Sequence, residues 1–425
     1  MTNALPADSA TQFSGSVETP SCTYAFEGSG RVVRHVRAGG CTYRSDISGS
    51  SLADDATAAF DAAWLRSKEW PVVHRPLGKL VVADLFCGSG GLTLGAWEAA
   101  RAMQLEFQSV LAADNDEDAM SVYRRNFAPR ASFVAPLEEL VDGDVGSALS
   151  TGERAILKGI PAVDVLLAGP PCQGHSDLNN FTRRNDPRNE LISKVVRFAE
   201  IATPTHIVIE NVQGVRHDTG GVFQRSISQL EAMKYEVSSF LLEGDEIGLA
   251  QRRRRCFLVA SRSGPSSSDR IYKLASARAK TFDWACADLE GIDGRSVFDT
   301  AAKVFPENQR RMDFLVENDL YDLPDEERPD CHRLKHHAYK SVYGRLWADR
   351  PSPTITTGFG SPGQGRYTHP RVARTITPHE AARLQHIPDF FNFGLSKRKR
   401  LQKLIGNSVP SKLAYAVVLD LLVHE

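Results

Sequence analysis

A chain of 425 residues with 42% hydrophobic and 24% charged side chains has the balance of an ordinary folded protein and the length for two or three domains. Its 51 Lys and Arg against 52 Asp and Glu leave a net charge of -1, which excludes a wholly basic nucleic-acid coat, so a polyanion would have to be met by local clusters. The opening MTNALPADSATQFSGS lacks a basic start and an apolar run, and no segment approaches the roughly 18 uninterrupted apolar residues of a membrane helix, which points to a cytosolic protein without a membrane partner. Residues 1–78 are rich in Ser, Thr, Gly and Ala and read as an extension of unknown role with one short helix over 53–68. The tripeptide Cys-Thr-Tyr occurs at 22 and 41 around the basic RVVRHVR, which reads as a weak hairpin, with an interaction arm as the alternative.

From Lys79 the texture changes. KLVVADLF, SVLAAD, VDVLLAG and HIVIENV are short apolar runs of strands buried on both faces, and helical patterns over 92–103, 117–126 and 191–201 alternate with them. This predicts a doubly wound α/β domain over 79–262 that binds ligands beyond the carboxyl ends of its strands. Residues 263–370, with scattered charges and PSPTITTGFGSPGQGRYTHP, read as a smaller irregular domain. Helical texture returns over 371–425, where Thr377 is placed as an N-cap with Pro378 at the first helical position and Glu380 as the capping-box acid.

Seven cysteines, an odd number spread over a long chain, fit free thiols better than a disulfide framework. Asp84-Leu85-Phe86-Cys87-Gly88-Ser89-Gly90-Gly91 closes the first strand and opens a helix, and the next strand ends in Asp114, where an acid would grip ribose hydroxyls. The spacing is not G-x-G-x-x-G, which favours a nucleoside-bearing cofactor other than a nicotinamide or flavin dinucleotide. Gly169-Pro170-Pro171-Cys172-Gln173-Gly174-His175-Ser176 follows a buried strand, so Cys172 falls at the same edge and is a candidate nucleophile. Glu210 ends another apolar strand, where a carboxylate must be partnered or used. In 251–255 (QRRRR), alternation would send Arg253 and Arg255 to one face, able to steady an oxygen anion or a phosphate. Further basic runs occupy 182–188 and 396–400. Cys331, His332, His336 and His337 match no familiar zinc spacing, so no metal is expected.

Taken together, these motifs resemble those of the cytosine-5 DNA methyltransferase family of bacterial type. DLFCGSGG is similar to its first motif, GPPCQGHS to its fourth, ENV to its sixth, QRRRR to its eighth, RTITPHEAARLQHIPDFF to its ninth and GNSVP to its tenth, in the family's order from Lys79 onward. The resemblance implies a Rossmann-like methyltransferase domain (79–262, rejoined by 371–425), a target-recognition domain over 263–370, and S-adenosylmethionine as the methyl donor. It would place Phe86, Gly88, Ser89, Gly91, Asp114, Asn115, Pro171, Leu191, Asn407 and Val409 around that cofactor. Cys172 would attack ring carbon 6 of a flipped-out cytosine, Glu210 would hold ring nitrogen 3 and the exocyclic amine, and Arg253 would steady the carbonyl oxygen with Arg255 nearby. The segment 176–188 would close over duplex DNA, with Gln173, Ser176, Arg183, Arg184 and Arg188 as contacts, and Thr354 and Thr356 belong to the family's recurring Thr-rich recognition element. A monomer acting on double-stranded DNA is expected, with a cognate restriction endonuclease as a candidate partner. Two departures bear on cofactor affinity: Ala135 stands where an acid for the adenine amine is usual, leaving Glu138 as a substitute, and Asn115 stands where some members place an aromatic ring. Methylation of tRNA and a non-catalytic DNA-binding role are the competing readings, the first opposed by the long variable region, the second by the intact Cys172, Glu210 and Arg253.

Overall fold

The computed structural model describes residues 19–28, 30–49, 55–171, 191–214, 221–292, 294–333 and 341–424. It begins with three antiparallel strands, β1 (Ser21–Glu27), β2 (Arg31–Ala38) and β3 (Cys41–Ser48), paired in that order, and a helix α1 (Ala56–Arg66) whose N-cap Asp55 accepts from the backbone of Thr57 and Ala58. The repeated Cys-Thr-Tyr thus marks two outer strands of a meander, one strand more than the expected hairpin. The predicted helix over 53–68 is found within two or three residues.

The main body alternates β4 (Gly78–Leu85), α2 (Gly91–Ala102), β5 (Leu105–Asp114), α3 (Glu117–Phe127), β6 (Ala131–Val134), α4 (Leu137–Leu140), α5 (Thr151–Gly159), β7 (Val165–Ala168), α6 (Leu191–Ala202), β8 (His206–Asn211), α7 (Val222–Ala232), β9 (Glu236–Glu243) and β10 (Arg254–Ser261). Seven of these strands form one sheet in the order β6-β5-β4-β7-β8-β10-β9. Neighbours from β6 to β8 run parallel, and β10 runs antiparallel to both β8 and β9. Every residue of β7 and β8 is buried, as a parallel sheet covered on both faces requires.

The sheet order turns back between β4 and β7, because the chain builds β5 and β6 on one side of β4 and then crosses to the other. That reversal opens a crevice at the carboxyl ends of the strands, where such sheets bind ligands. Helix α8 (Ser268–Ala275) packs on the last helix, and α9 (Phe282–Cys286), α10 (Pro306–Glu317) and α11 (Asp330–Arg333) are the remaining helices longer than three residues described between 276 and 370. Then follow α12 (Pro378–Leu384), α13 (Arg398–Asn407) and α14 (Ser411–Leu422). Thr377 makes the predicted capping box with Glu380, and Pro378 sits in the first turn of α12.

One apolar cluster joins segments far apart in sequence: Phe60 and Trp64 of α1, Leu94 of α2, Tyr123 and Phe127 of α3, Phe282 of α9, Ile355, and Phe390, Phe391 and Phe393 after α12. The described residues before β4 are therefore built into the body. Among the described residues no helix is long and apolar enough to cross a membrane.

Candidate active site

Parallel register places four residues in a row along the carboxyl edge of the sheet. Ala113 pairs with Leu85, Leu85 with Ala168, and Ala168 with Ile209. One residue further along each strand stand Asp114, Phe86, Gly169 and Glu210. At about 4.8 Å between neighbouring strands, the row spans about 14 Å. Cys172 lies three residues past Gly169 and outside the described residues, which reach Pro171. Gln173, Ser176, Arg183, Arg184 and Arg188 lie outside them too.

At one end of the row the chain turns sharply from β4 into α2. Phe86 (φ 55°), Gly88 (φ 53°) and Gly90 (φ 93°) all take left-handed backbone, which is uncommon for a bulky residue such as Phe86 and is concentrated at functional sites. Gly88 N–H donates to Asp114 Oδ2 at 2.8 Å, and Asp116 N–H donates to Oδ1 at 2.9 Å. Each oxygen keeps a second lone pair for a ligand hydroxyl. Burial raises the Asp114 carboxyl above its ordinary value. A Cβ built on Gly88 meets nothing within 4 Å, so the turn borders open space, whereas one on Gly91 would lie 2.4 Å from Ser408 Oγ and 2.5 Å from the Val409 carbonyl oxygen. Gly91 thereby lets α2 start against the segment following α13, which brings Asn407 and Val409 beside the turn. Ser89 is buried, Leu191 opens α6, and Asn115 is exposed.

Directly beneath the turn, Asp84 is fully buried. Thr93 Oγ1 donates to its Oδ2 at 2.5 Å, Tyr123 Oη lies 2.9 Å from that hydroxyl, and Asp84 Oδ1 has no hydrogen-bond partner among the described residues. Burial pushes Asp84 up to about 7. Open space above the turn and, on the neighbouring strand end, a carboxylate with a lone pair left on each oxygen suit the hydroxyls of a ribose, so these residues fit the nucleoside part of S-adenosylmethionine. Cys87, in the same turn, is buried against Met120 and its thiol is pushed far up by burial, which removes it as a rival nucleophile.

At the other end of the row, Arg255 Nε lies 2.7 Å from Glu210 Oε1, with both side chains partly open to the crevice. Arg253 is held by two backbone carbonyls. It is 3% exposed and donates to the carbonyl oxygens of Ile355 (2.8 Å) and Ser408 (3.1 Å). Burial alternates from 251 to 255, with Gln251 and Arg253 buried, Arg252 and Arg254 exposed and Arg255 between, so the two arginines differ in their partners. Arg255 is the guanidinium beside Glu210.

Of the basic runs, 182–188 lies outside the described residues, and several members of the other two pair within the protein. Arg252 is within 3.6 Å of Asp245, Arg254 pairs with Glu243, Arg400 with Asp118, and Arg398 with carbonyl oxygens of residues 297 and 300. The Thr-rich element is likewise committed: Thr354 Oγ1 donates to the Arg252 carbonyl at 2.9 Å, and Thr356 Oγ1 lies 2.8 Å from Tyr367 Oη. These bonds hold the segment's shape. Glu138 is exposed on α4, and the Ala135 N–H donates to the Asp114 carbonyl oxygen.

Sequence reasoning missed two buried glutamines. Gln251 Nε2 donates to the Leu384 carbonyl (3.0 Å) and Gln385 Oε1 (2.9 Å), while Gln251 Oε1 accepts from Ile355 N–H (2.8 Å). Gln385 Nε2 donates to the carbonyls of Ile405 (2.8 Å) and Ser408 (3.3 Å). Residues 251–253, 352–356, 384–385 and 405–408 are thereby tied together behind the site. A Gln heading an arginine run hides this signal, because its neighbours look solvated.

The C-5 cytosine-specific DNA methylase profile matches residues 80–422. The chain belongs to that family. It is 47% identical over 363 residues to Type II methyltransferase M1.BsuMI of Bacillus subtilis, covering 85% of each chain, and 31% identical over 353 residues to Type II methylase M.HgiDII of Herpetosiphon aurantiacus, covering 79% of this chain and 93% of the relative. Among solved structures, a prophage-encoded DNA modification methyltransferase from E. coli superposes with a TM-score of 0.56 at 22% identity, over 81% of this chain and 99% of that one. The S. pombe Dnmt2 methyltransferase does so at 0.54 and 18% identity, over 81% and 98%. At these identities the structural likeness speaks for the methyltransferase fold alone. The family match fixes the chemistry as methylation of cytosine carbon 5 in DNA.

Proposed function

We propose that this DNA cytosine-5 methyltransferase uses S-adenosylmethionine to methylate a flipped-out cytosine in a specific duplex sequence through a transient Cys172 adduct. The observation that carries the reading is the row Asp114, Phe86, Gly169, Glu210 on one sheet edge, with Cys172 three residues beyond Gly169. Phe86, Gly88, Ser89, Gly91, Asp114, Leu191, Asn407 and Val409 would hold the cofactor, which supplies an electrophilic methyl group when bound.

The chain's own residues then account for the activation of the base. Carbon 5 of cytosine is a poor nucleophile until the Cys172 thiolate bonds to carbon 6 and nitrogen 3 is protonated or strongly hydrogen-bonded. Glu210 holds nitrogen 3 and the exocyclic amine, and Arg255, already paired with it, orients that carboxylate and faces the carbonyl oxygen of the base. Arg253 supports them from behind through Ile355 and Ser408. After methylation the carbon 5 proton leaves to a base, the double bond re-forms and the thiolate departs. Extruding the cytosine costs about a few kcal/mol, offset in part by phosphate contacts from the 176–188 segment. The type II names of the relatives support a restriction-modification setting, with a cognate endonuclease as partner.

The test is tritiated methyl transfer from S-adenosylmethionine to duplex DNA, single-stranded DNA and tRNA, with bisulfite sequencing of DNA from expressing cells. Label in duplex DNA at one sequence context is expected, and label confined to tRNA would overturn the reading. With Cys172→Ala, turnover and covalent trapping on 5-fluorocytosine DNA should vanish while DNA binding remains; a trapped adduct in that variant would show that another group is the nucleophile.

A further inference from the structure

Helix α13 meets the surroundings of the cofactor turn at two places. Its carboxyl end, followed by Ser408 and Val409, closes on Gly91 at the start of α2. One turn earlier, Lys403 reaches the connection between β5 and α3 and pairs with Asp116, while Arg400 pairs with Asp118 in the first turn of α3. Positions 399, 403 and 407 are four apart, so Lys399, Lys403 and Asn407 fall on one side of the helix. Lys399, Arg400, Lys403 and Leu404 face Asp116 and Asp118 across an open cleft that starts two residues beyond Asp114.

Asp116 is the joint of this arrangement. Its backbone N–H donates to Asp114 Oδ1 at 2.9 Å and, with the bond from Gly88 N–H to Oδ2, aims that carboxylate. Its side chain accepts at Oδ1 from the N–H groups of Asp118 (2.9 Å) and Ala119 (3.2 Å) and so caps α3. The other oxygen, Oδ2, takes Lys403 Nζ. Burial by itself would raise the Asp116 carboxyl, but Lys403 and the capping donor hold it below its ordinary value, so the pair is ionised. Burial likewise raises Asp114, and Lys403 works against that rise. The cap is local to α3; Lys403 is the tie that comes from a distant part of the chain.

We propose that Lys403 is a positioning residue for the cofactor: by holding Asp116 from α13 it fixes the connection whose N–H aims Asp114 at the ribose hydroxyls. This rests on the S-adenosylmethionine reading of the site. The Lys403 side chain is 59% exposed against 18% for Asp116, so dissolved salt screens the pair and should loosen the grip on the cofactor.

Binding of S-adenosylhomocysteine, the demethylated cofactor, to the full chain should be measured by calorimetry. Lys403→Met should weaken it about two- to fivefold, the range of one exposed ion pair, and Lys403→Arg should retain it. Lys399→Met removes a charge from the same cleft and should leave affinity unchanged. Asp116→Asn keeps a capping side chain without the charge, and adding Lys403→Met to it should cost nothing further. Raising sodium chloride from about 50 to about 500 mM should bring the wild type toward Lys403→Met. Equal affinity in Lys403→Met and the wild type, an equal loss in Lys399→Met, or additive losses in the double variant would each overturn the proposal and leave the cofactor reading standing. A wild type that does not bind S-adenosylhomocysteine would overturn both.

Discussion

Two arginines two positions apart do different work, and the difference can be measured. Arg255→Ala leaves Glu210 without its partner at the reacting end of the edge, so turnover should fall about 100-fold or more with little change in melting temperature. Arg253→Ala strips donors from two buried carbonyls, so it should lower stability by about 2–4 kcal/mol and weaken DNA binding before it affects the chemical step. Single-turnover rates and thermal melts of both variants separate the roles; reversed outcomes would restore Arg253 to the base. Asp84 offers a pH test. Its ordinary value is 3.8 and burial lifts it to about 7 in the fold. Between those values the folded state keeps a proton that the unfolded chain has released, so its stabilising contribution is complete at low pH and fades as pH rises toward 7. Asp84→Asn, fixed neutral, should therefore gain on the wild type in cofactor-free melts as pH climbs from about 4 to 7. Parallel curves would refute the shift.

At the scale of elements, the turn into α2 depends on side chains being absent. A Cβ at Gly91 would press on Ser408 Oγ and the Val409 carbonyl, and backbone cannot yield as a flexible side chain can. Gly91→Ala should push α2 from the α13–α14 junction, costing about 1–3 kcal/mol and weakening S-adenosylmethionine binding by about tenfold, readable by calorimetry. Unchanged affinity would mean the junction is not part of the cofactor site. Strands β4, β5, β7 and β8 were legible because burial on both faces writes them as apolar runs, and α12 because its cap residues are local. Strand β9 was not: it lies at the sheet edge with Ser238 and Ser239 half-buried, and its period is blurred. The motif residues of the site were legible as residue types in order. The division of labour between Arg253 and Arg255 was not, since it depends on the partners that folding brings to each, Ile355 and Ser408 for the first and Glu210 for the second.

For the whole molecule, the family profile, which begins at residue 80, suggests trimming at residue 79, and the packing argues against it. Phe60, Trp64 and Leu65 are buried in the shared core, and Trp70 packs on Phe390 with ring centroids 4.4 Å apart. Each large apolar side chain contributes about 1.5–3 kcal/mol when buried, so their joint loss rivals the stability of a domain. A chain of residues 79–425 is expected to be insoluble or to melt without cooperativity in circular dichroism. A monomeric fragment melting like the full chain would show that the meander is dispensable. The place of the extension in the core was hidden because its contacts reach residues as distant in sequence as Trp97 and Phe390, which no local pattern records.

The glutamine and arginine ties behind the crevice bear on any attempt to redirect the enzyme to a new DNA target. Ile355 is clamped from both sides by Gln251 and Arg253, and Gly406 gives the backbone of Thr356 and Thr357 room against α13. The partners that set the register of the Thr-rich segment thus lie outside residues 263–370, in the α/β body. A graft exchanging only residues 263–370 would place a foreign loop on fittings cut for this one; a working chimera would have to bring along 251–253, 385 and 406.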